Sequence, residues 1–135
     1  MAFTLQLQVR DYELDQYGVV NNAVYSQYLE HARHEFLIAM GLNAAQVARS
    51  GRSLALSEIR IAFRIPLRSR DAFTVTSSIS EVRGARVNFS QAIYRAGETR
   101  PAVEATAVAV FLDERGRPQR VEGELRAMFE KHLET

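Results

Sequence analysis

Between Asn21 and Gly41 the chain carries its single long helical pattern, and nearly everything after it reads as strand. Tyr25, Tyr28, Leu29, Ala32, Phe36 and Met40 recur at three- and four-residue intervals, which places them on one stripe of an α-helix. Asn21 or Asn22 can cap its start, and Gly41 suits a left-handed stop. Ahead of it, Phe3, Leu5, Leu7 and Val9 alternate with Thr4, Gln6, Gln8 and Arg10, the period of a strand with one buried face. Behind it, one or two helical turns are expected from Asn43 to Arg49, ended by Gly51. Ile59, Ile61, Phe63 and Ile65 then alternate with Glu58, Arg60, Ala62 and Arg64 until Pro66, and Phe73, Val75 and Ile79 share a parity. Val87, Phe89, Gln91 and Ile93 alternate after the Arg83-Gly84 turn, and Ala102 to Leu112 is β-rich on both parities, as in a strand covered on two faces. Leu125, Met128, Phe129 and Leu133 predict a short terminal helix.

One strand, one long helix and four further strands make an α+β pattern, with connections short enough to suggest antiparallel neighbours. A sheet of about five strands must cover an apolar face, and the long helix is the only element able to lie across it. The other face stays partly open. The Ala, Thr and Val pattern of the last strand suggests that a second copy of the chain closes over part of the sheet. A length of 135 residues fits one domain, 1–135.

Composition removes several classes of function. Hydrophobic residues at 47% exclude a chain that stays unfolded for want of a core. Seventeen basic against 16 acidic residues leave a charge of +1, too little to hold a polyanion by counterion release, so nucleic acid is not an expected partner. Cysteine is absent, which removes a thiolate nucleophile and thiolate zinc sites. All but one of the basic residues are Arg, which reads as base composition more readily than as a set of phosphate forks. The longest nearly apolar run, Ala105–Leu112, is far below the roughly 18 residues of a membrane span. No signal peptide is visible at the N-terminus, and the cytoplasm is the expected compartment.

The densest chemical cluster is the loop from Arg10 to Asn22, which brings Asp11, Glu13, Asp15 and Gly18 to the start of the long helix. A helix start offers unpaired N–H groups and a partial positive charge, which polarise a carbonyl or hold an oxyanion. A carboxylate a few residues upstream can reach the carbon of that carbonyl. The same residues also suit an ordinary loop in which Asp15 caps a turn, Gly18 supplies positive φ and the Asn pair caps the helix.

Asp15-Gln16-Tyr17-Gly18-Val19-Val20-Asn21-Asn22-Ala23-Val24-Tyr25, with Glu30 beyond it, resembles the signature of hot-dog-fold thioesterases of the 4-hydroxybenzoyl-CoA thioesterase type, and is especially similar to acyl-carrier-protein thioesterases. Ile59 to Asp71, with its Pro66 followed by Arg68, is similar to a strand segment of the same family, and the resemblance runs from about Val9 to Leu112. It implies a hot-dog fold, a long central helix wrapped by a five- or six-stranded antiparallel sheet. It also implies hydrolysis of acyl thioesters of acyl carrier protein or coenzyme A. Asp15 would then be nucleophile or general base, and a backbone N–H near Asn22 would polarise the carbonyl. A carboxylate of ordinary pKa, about 4, is ionised at neutral pH, and a thioester, with its good leaving group, needs only modest activation. One of Asn21 and Asn22 is expected to cap the helix while the other orients water or Asp15, and Glu30 to set Asp15 or the helix packing.

Tyr17, Gly18, Val20, Tyr25, Leu56, Ile59 and Phe63 are the expected lining of an acyl site, each equally suited to plain core or loop. Glu58 can point into that site or face solvent, and solvent is favoured. Arg68 and Arg86 are the expected contacts for a phosphopantetheine arm or coenzyme A. His31 and His34 lack the HExxH spacing and have Arg33 between them, so neither metal nor cofactor is expected. No GxSxG, P-loop or GxGxxG is present. Sites at a subunit interface of a dimer or tetramer follow from the same resemblance. The competing readings are a non-catalytic acyl-CoA binder, an aromatic (hydroxybenzoyl or dihydroxynaphthoyl) acyl-CoA thioesterase, and a hydratase, which would want a His in the loop.

Overall fold

The computed structural model describes residues 2–42 and 44–134. Its elements are β1 (Phe3–Gln8), a 3-10 turn (Asp11–Glu13), α1 (Asn22–Met40), α2 (Ala44–Arg49), β2 (Ser53–Phe63), β3 (Ala72–Arg83), β4 (Arg86–Arg95), β5 (Val103–Leu112) and α3 (Gly123–Glu130). The five strands form one antiparallel sheet in the order β1-β3-β4-β5-β2. The expected α2 began at Asn43, which lies outside the described residues.

α1 forms where its periodicity places it. The Asn21 side chain accepts from Ala23 N–H at 2.9 Å, and Gly41 closes the helix at φ 99° while its N–H returns to Ile38 C=O. Tyr25, Tyr28, Leu29, Ala32 and Phe36 are buried against the sheet. They join two apolar clusters. One gathers Val9, Val20, Leu67, Phe73, Val75 and Ile93 under the first half of the helix, and the other gathers Ile79, Val87, Phe89, Phe111 and Phe129 under the second.

The seam between the clusters is polar. Gln91, in register on β4 with apolar Phe89 and Ile93, is buried and donates to Leu29 C=O and to Ser77 Oγ, both at 3.0 Å. Its Oε1 accepts from half-buried Arg33 at 3.0 Å. One amide therefore ties α1 to β3 and β4, and each of its polar atoms is spent.

Three features depart from the sequence-based expectation. First, β2 does not neighbour β3; it pairs with β5 at the far edge of the sheet, and the chain returns through 64–71 to reach β3. Second, β2 starts at Ser53, five residues before the expected strand, because a bulge between Leu56 and Glu58 inserts Ser57 and reverses the parity. Leu54 and Leu56 face the helix before it; Ile59 and Ile61 do so after it. Third, β5 is buried only at its odd positions, while Glu104 and Thr106 are exposed, so its second face is open in the single chain. α3 stops at Glu130, and Leu133 bridges to Ile79 on the edge of β3 instead of extending the helix.

Replacing Gln91 by Leu should destabilise the chain by about 1–3 kcal/mol, because Ser77 and Arg33 lose a buried partner together. Urea denaturation reads this, with the m-value unchanged.

Candidate active site

The loop ahead of α1 is built on Asp15. Its Oδ1 accepts from Tyr17 N–H at 2.8 Å and from Val19 N–H at 3.4 Å, and its backbone pairs with Val19 C=O and Gly18 N–H. Gly18 turns the chain at φ 77°, in the left-handed region that favours glycine. Asp15 is half-buried, with Oδ2 free of hydrogen bonds to the described residues. So Asp15 does cap its own turn, and it does so with one oxygen only.

Further bonds fix this loop against the body. Val20 N–H donates to Leu67 C=O at 2.9 Å, and Leu67 N–H donates to Tyr25 Oη at 3.0 Å. Glu13 Oε1 accepts from Arg10 N–H at 2.8 Å and from Tyr28 Oη–H at 2.7 Å, linking the 3-10 turn to the first turns of α1. Burial, then the Glu13 carboxylate, pushes the Tyr28 phenol well above its ordinary range; burial raises Tyr25 as well. Glu13 belongs to the carboxylate-rich loop seen in the sequence, but it was not among the expected site residues.

Asn21 is the capping Asn, and Asn22 is the first helical residue, exposed, its side chain without a partner among the described residues. Its backbone N–H also has no acceptor there, as one of the orphan donors of a helix start. Carboxylate, positive-φ turn and free N–H thus stand on one short stretch of chain, at the end of the helix that favours negative charge.

The remaining expected residues divide. Tyr17 is 77% exposed, on the surface beside Asp15. Val20 and Tyr25 are core, buried at 1% and 3% exposure, and brace the loop from below instead of lining an open site. Ile59 packs between the two apolar clusters, and Phe63, half exposed at the sheet edge, lies against the Tyr25 ring with centroids 5.4 Å apart. Glu58 pairs with Val108 on the face away from α1 and bonds Arg60 at 3.2 Å, so its solvent-facing orientation is the one adopted. Glu30 is exposed one side of a cavity with Arg33, and it reaches no hydrogen bond to Asp15. Arg68 bridges to Val19 beside the Asp15 loop, whereas Arg86 lies at the other end of β3 and β4, so a single chain does not bring the two together.

The model of the thioesterase-like superfamily matches residues 9–129. An acyl-acyl carrier protein thioesterase of Arabidopsis thaliana, designated chloroplastic, is 49% identical over 125 residues, which cover 93% of this chain and 66% of that protein. This chain therefore spans less than two thirds of that relative's length. A long-chain acyl-CoA thioesterase of Escherichia coli is 32% identical over 131 residues, covering 93% of this chain and 96% of that one. Among solved structures, a probable thioesterase from Escherichia coli superposes with a TM-score of 0.82 at 28% identity, over 97% of this chain and 98% of that one.

Because Tyr28 stays protonated in the folded chain at pH values where the unfolded chain ionises it, stability should fall as pH rises above about 10. Tyr28→Phe should make that alkaline decline shallower, as read by thermal denaturation across pH. At neutral pH the same variant should lose about 1 kcal/mol with the Glu13 bond.

Proposed function

The chain belongs to the thioesterase-like superfamily, and we propose that it hydrolyses acyl thioesters of acyl carrier protein or coenzyme A, with Asp15 and the Asn22 N–H as its working groups. The observation that carries this reading is the pairing of a carboxylate with one uncommitted oxygen and a helix-start N–H with no acceptor, on the same short loop. The names of the Arabidopsis and Escherichia coli relatives support the reaction class.

In the proposed reaction the thioester carbonyl oxygen accepts from Asn22 N–H, and the dipole of α1 stabilises the negative charge that develops on it. Oδ2 of Asp15 either takes a proton from a water that adds to the carbonyl carbon or attacks that carbon itself. The tetrahedral oxyanion collapses, the C–S bond breaks with its electron pair leaving on sulfur, and the thiolate takes up a proton. In the attacking case a mixed anhydride remains, which water then cleaves. The turn that Asp15 caps holds Oδ1 fixed throughout.

The site is proposed to be completed by a second copy. β2 is an eleven-residue edge strand whose outer side pairs with no described strand, and it exposes half of Leu56 and half of Phe63. Such an edge invites pairing. Two identical edge strands related by a two-fold axis meet antiparallel, which brings the Phe63 end of one beside the Ser53 end of the other. The Asp15 loop lies at the Phe63 end, held by Leu67 and Arg68. A second copy would thus supply walls for a carboxylate that is half-buried in the single chain, and the Arg86 end of one chain would approach the Arg68 end of the other. The proposed compartment is the cytoplasm; among the described residues no helix is long and apolar enough to cross a membrane.

Asp15→Asn keeps an Oδ1 for the Tyr17 and Val19 N–H groups while removing the charge. It should lower kcat/KM on acyl thioesters by about 10²–10⁴-fold with little change in melting temperature. Undiminished thiol release by the folded variant would refute the assignment. Sedimentation should give at least a dimer; a monomer that turns over normally would remove the second copy from the site.

A further inference from the structure

The loop that carries Asp15 is a narrow hairpin whose two arms are joined by main-chain contacts. Leu14 bridges to Val20, Asp15 N–H donates to Val19 C=O at 2.8 Å, and Asn21 N–H donates to Glu13 C=O at 3.0 Å. The last of these bonds holds the residue next to Asn22, so the place of the helix-start N–H depends on where Glu13 stands. Glu13 is held in turn by its side chain, whose Oε1 accepts from Tyr28 Oη–H at 2.7 Å and from Arg10 N–H at 2.8 Å. The Tyr28 ring is wedged in the core, with its centroid 4.7 Å from that of Phe73 and 6.2 Å from that of Tyr25. Its hydroxyl is therefore a fixed post on the second turn of α1.

We propose that Glu13 is a positioning residue for thioester hydrolysis, a clamp that keeps Asp15 and the Asn22 N–H at their working places by fastening the hairpin to Tyr28. The inference rests on the thioesterase reading of Asp15 and Asn22. Glu13 acts through two of its own atoms, a side-chain oxygen bound to the core of the helix and a main-chain oxygen bound to the capping residue. Among the described residues, no other side chain between Asp11 and Val20 makes a hydrogen bond to a side chain of α1. The remaining ties, from Val20 N–H to Leu67 C=O and from Ser69 Oγ–H to Asp11, run to the 67–71 turn. Misplacing reacting groups by about 1 Å can cost about 10²-fold in rate. Loss of the clamp should therefore appear in kcat, which reports contacts made in the transition state, far more than in KM.

The test compares kcat and KM on dodecanoyl-coenzyme A for the wild type, Glu13→Ala, Glu13→Gln, Tyr28→Phe and the Glu13→Ala/Tyr28→Phe double variant, at a temperature where each is folded. Glu13→Ala should lower kcat by about 10²-fold with KM little changed. Glu13→Gln should recover most of that loss, because its amide oxygen has two lone pairs for the same two donors. Tyr28→Phe keeps the ring and removes the post, so kcat should fall again, and the double variant should be no slower than the slower single one. Amide hydrogen exchange should quicken at Asn21 in Glu13→Ala while the amides of β3 and β4 keep their protection. Folded Glu13→Ala with the wild-type kcat would overturn the clamp and leave the hydrolysis standing. So would a Gln variant as slow as the Ala one, or single losses that multiply in the double variant. If Glu13→Ala does not fold, an unchanged kcat in Tyr28→Phe overturns the clamp in its place. Wild-type protein that releases no thiol would instead reject the hydrolysis reading, and the positioning role with it.

Discussion

A single long helix has to hide its apolar stripe on a single sheet, and the rest of the molecule follows from where it lies. Leu29, Ala32 and Phe36 set the helix against β3 and β4, and Gln91 fixes its position along them by holding Leu29 C=O. Once that contact is made the first turn of α1 can only emerge near the 67–71 turn. Tyr25 and Val20 then clasp Leu67 from the helix and from the loop. Asp15 and Asn22 stand on the loop that this same burial anchors. Apolar packing supplies the stabilisation, and the buried amide supplies the register.

Much of this was legible in the sequence, and for physical reasons. The helix from Asn22 to Met40 shows itself because its stripe is continuous and both ends carry cap residues. β1 shows itself because it has one buried face, so its alternation is clean. The hot-dog arrangement follows from element order together with the loop signature, and the superfamily match over 9–129 bears it out. Asp15 is marked by its place in that loop. That only Oδ1 is committed to the turn is a matter of geometry and could not be read from residue types.

What stayed hidden depends on contacts between residues far apart in the chain. Short connections suggested that β2 and β3 are neighbours, but β5 is the better partner for β2, and β1 takes the free edge of β3. The first half of β2 was invisible because Leu54 and Leu56 stand on even positions and Ile59 and Ile61 on odd ones, which reads as no strand at all until Ser57 is recognised as an extra residue. Gln91 did leave a signal, a lone amide in step with Val87, Phe89 and Ile93, and a polar residue at a core-facing position implies a buried partner. Arg33 left none, because an arginine on a helix is ordinarily a surface residue.

The bulge in β2 carries a consequence for how relatives of this chain can diverge. Point substitutions there alter one side chain at a time, whereas losing Ser57 would rotate every residue on one side of it through half a turn about the strand axis, sending either Leu54 and Leu56 or Ile59 and Ile61 outward. Strand length is then under tighter restraint than strand composition. Gaps introduced by evolution or by design should settle in the 113–118 turn, which closes on itself through Asp113, and leave the edge strand's count of residues alone.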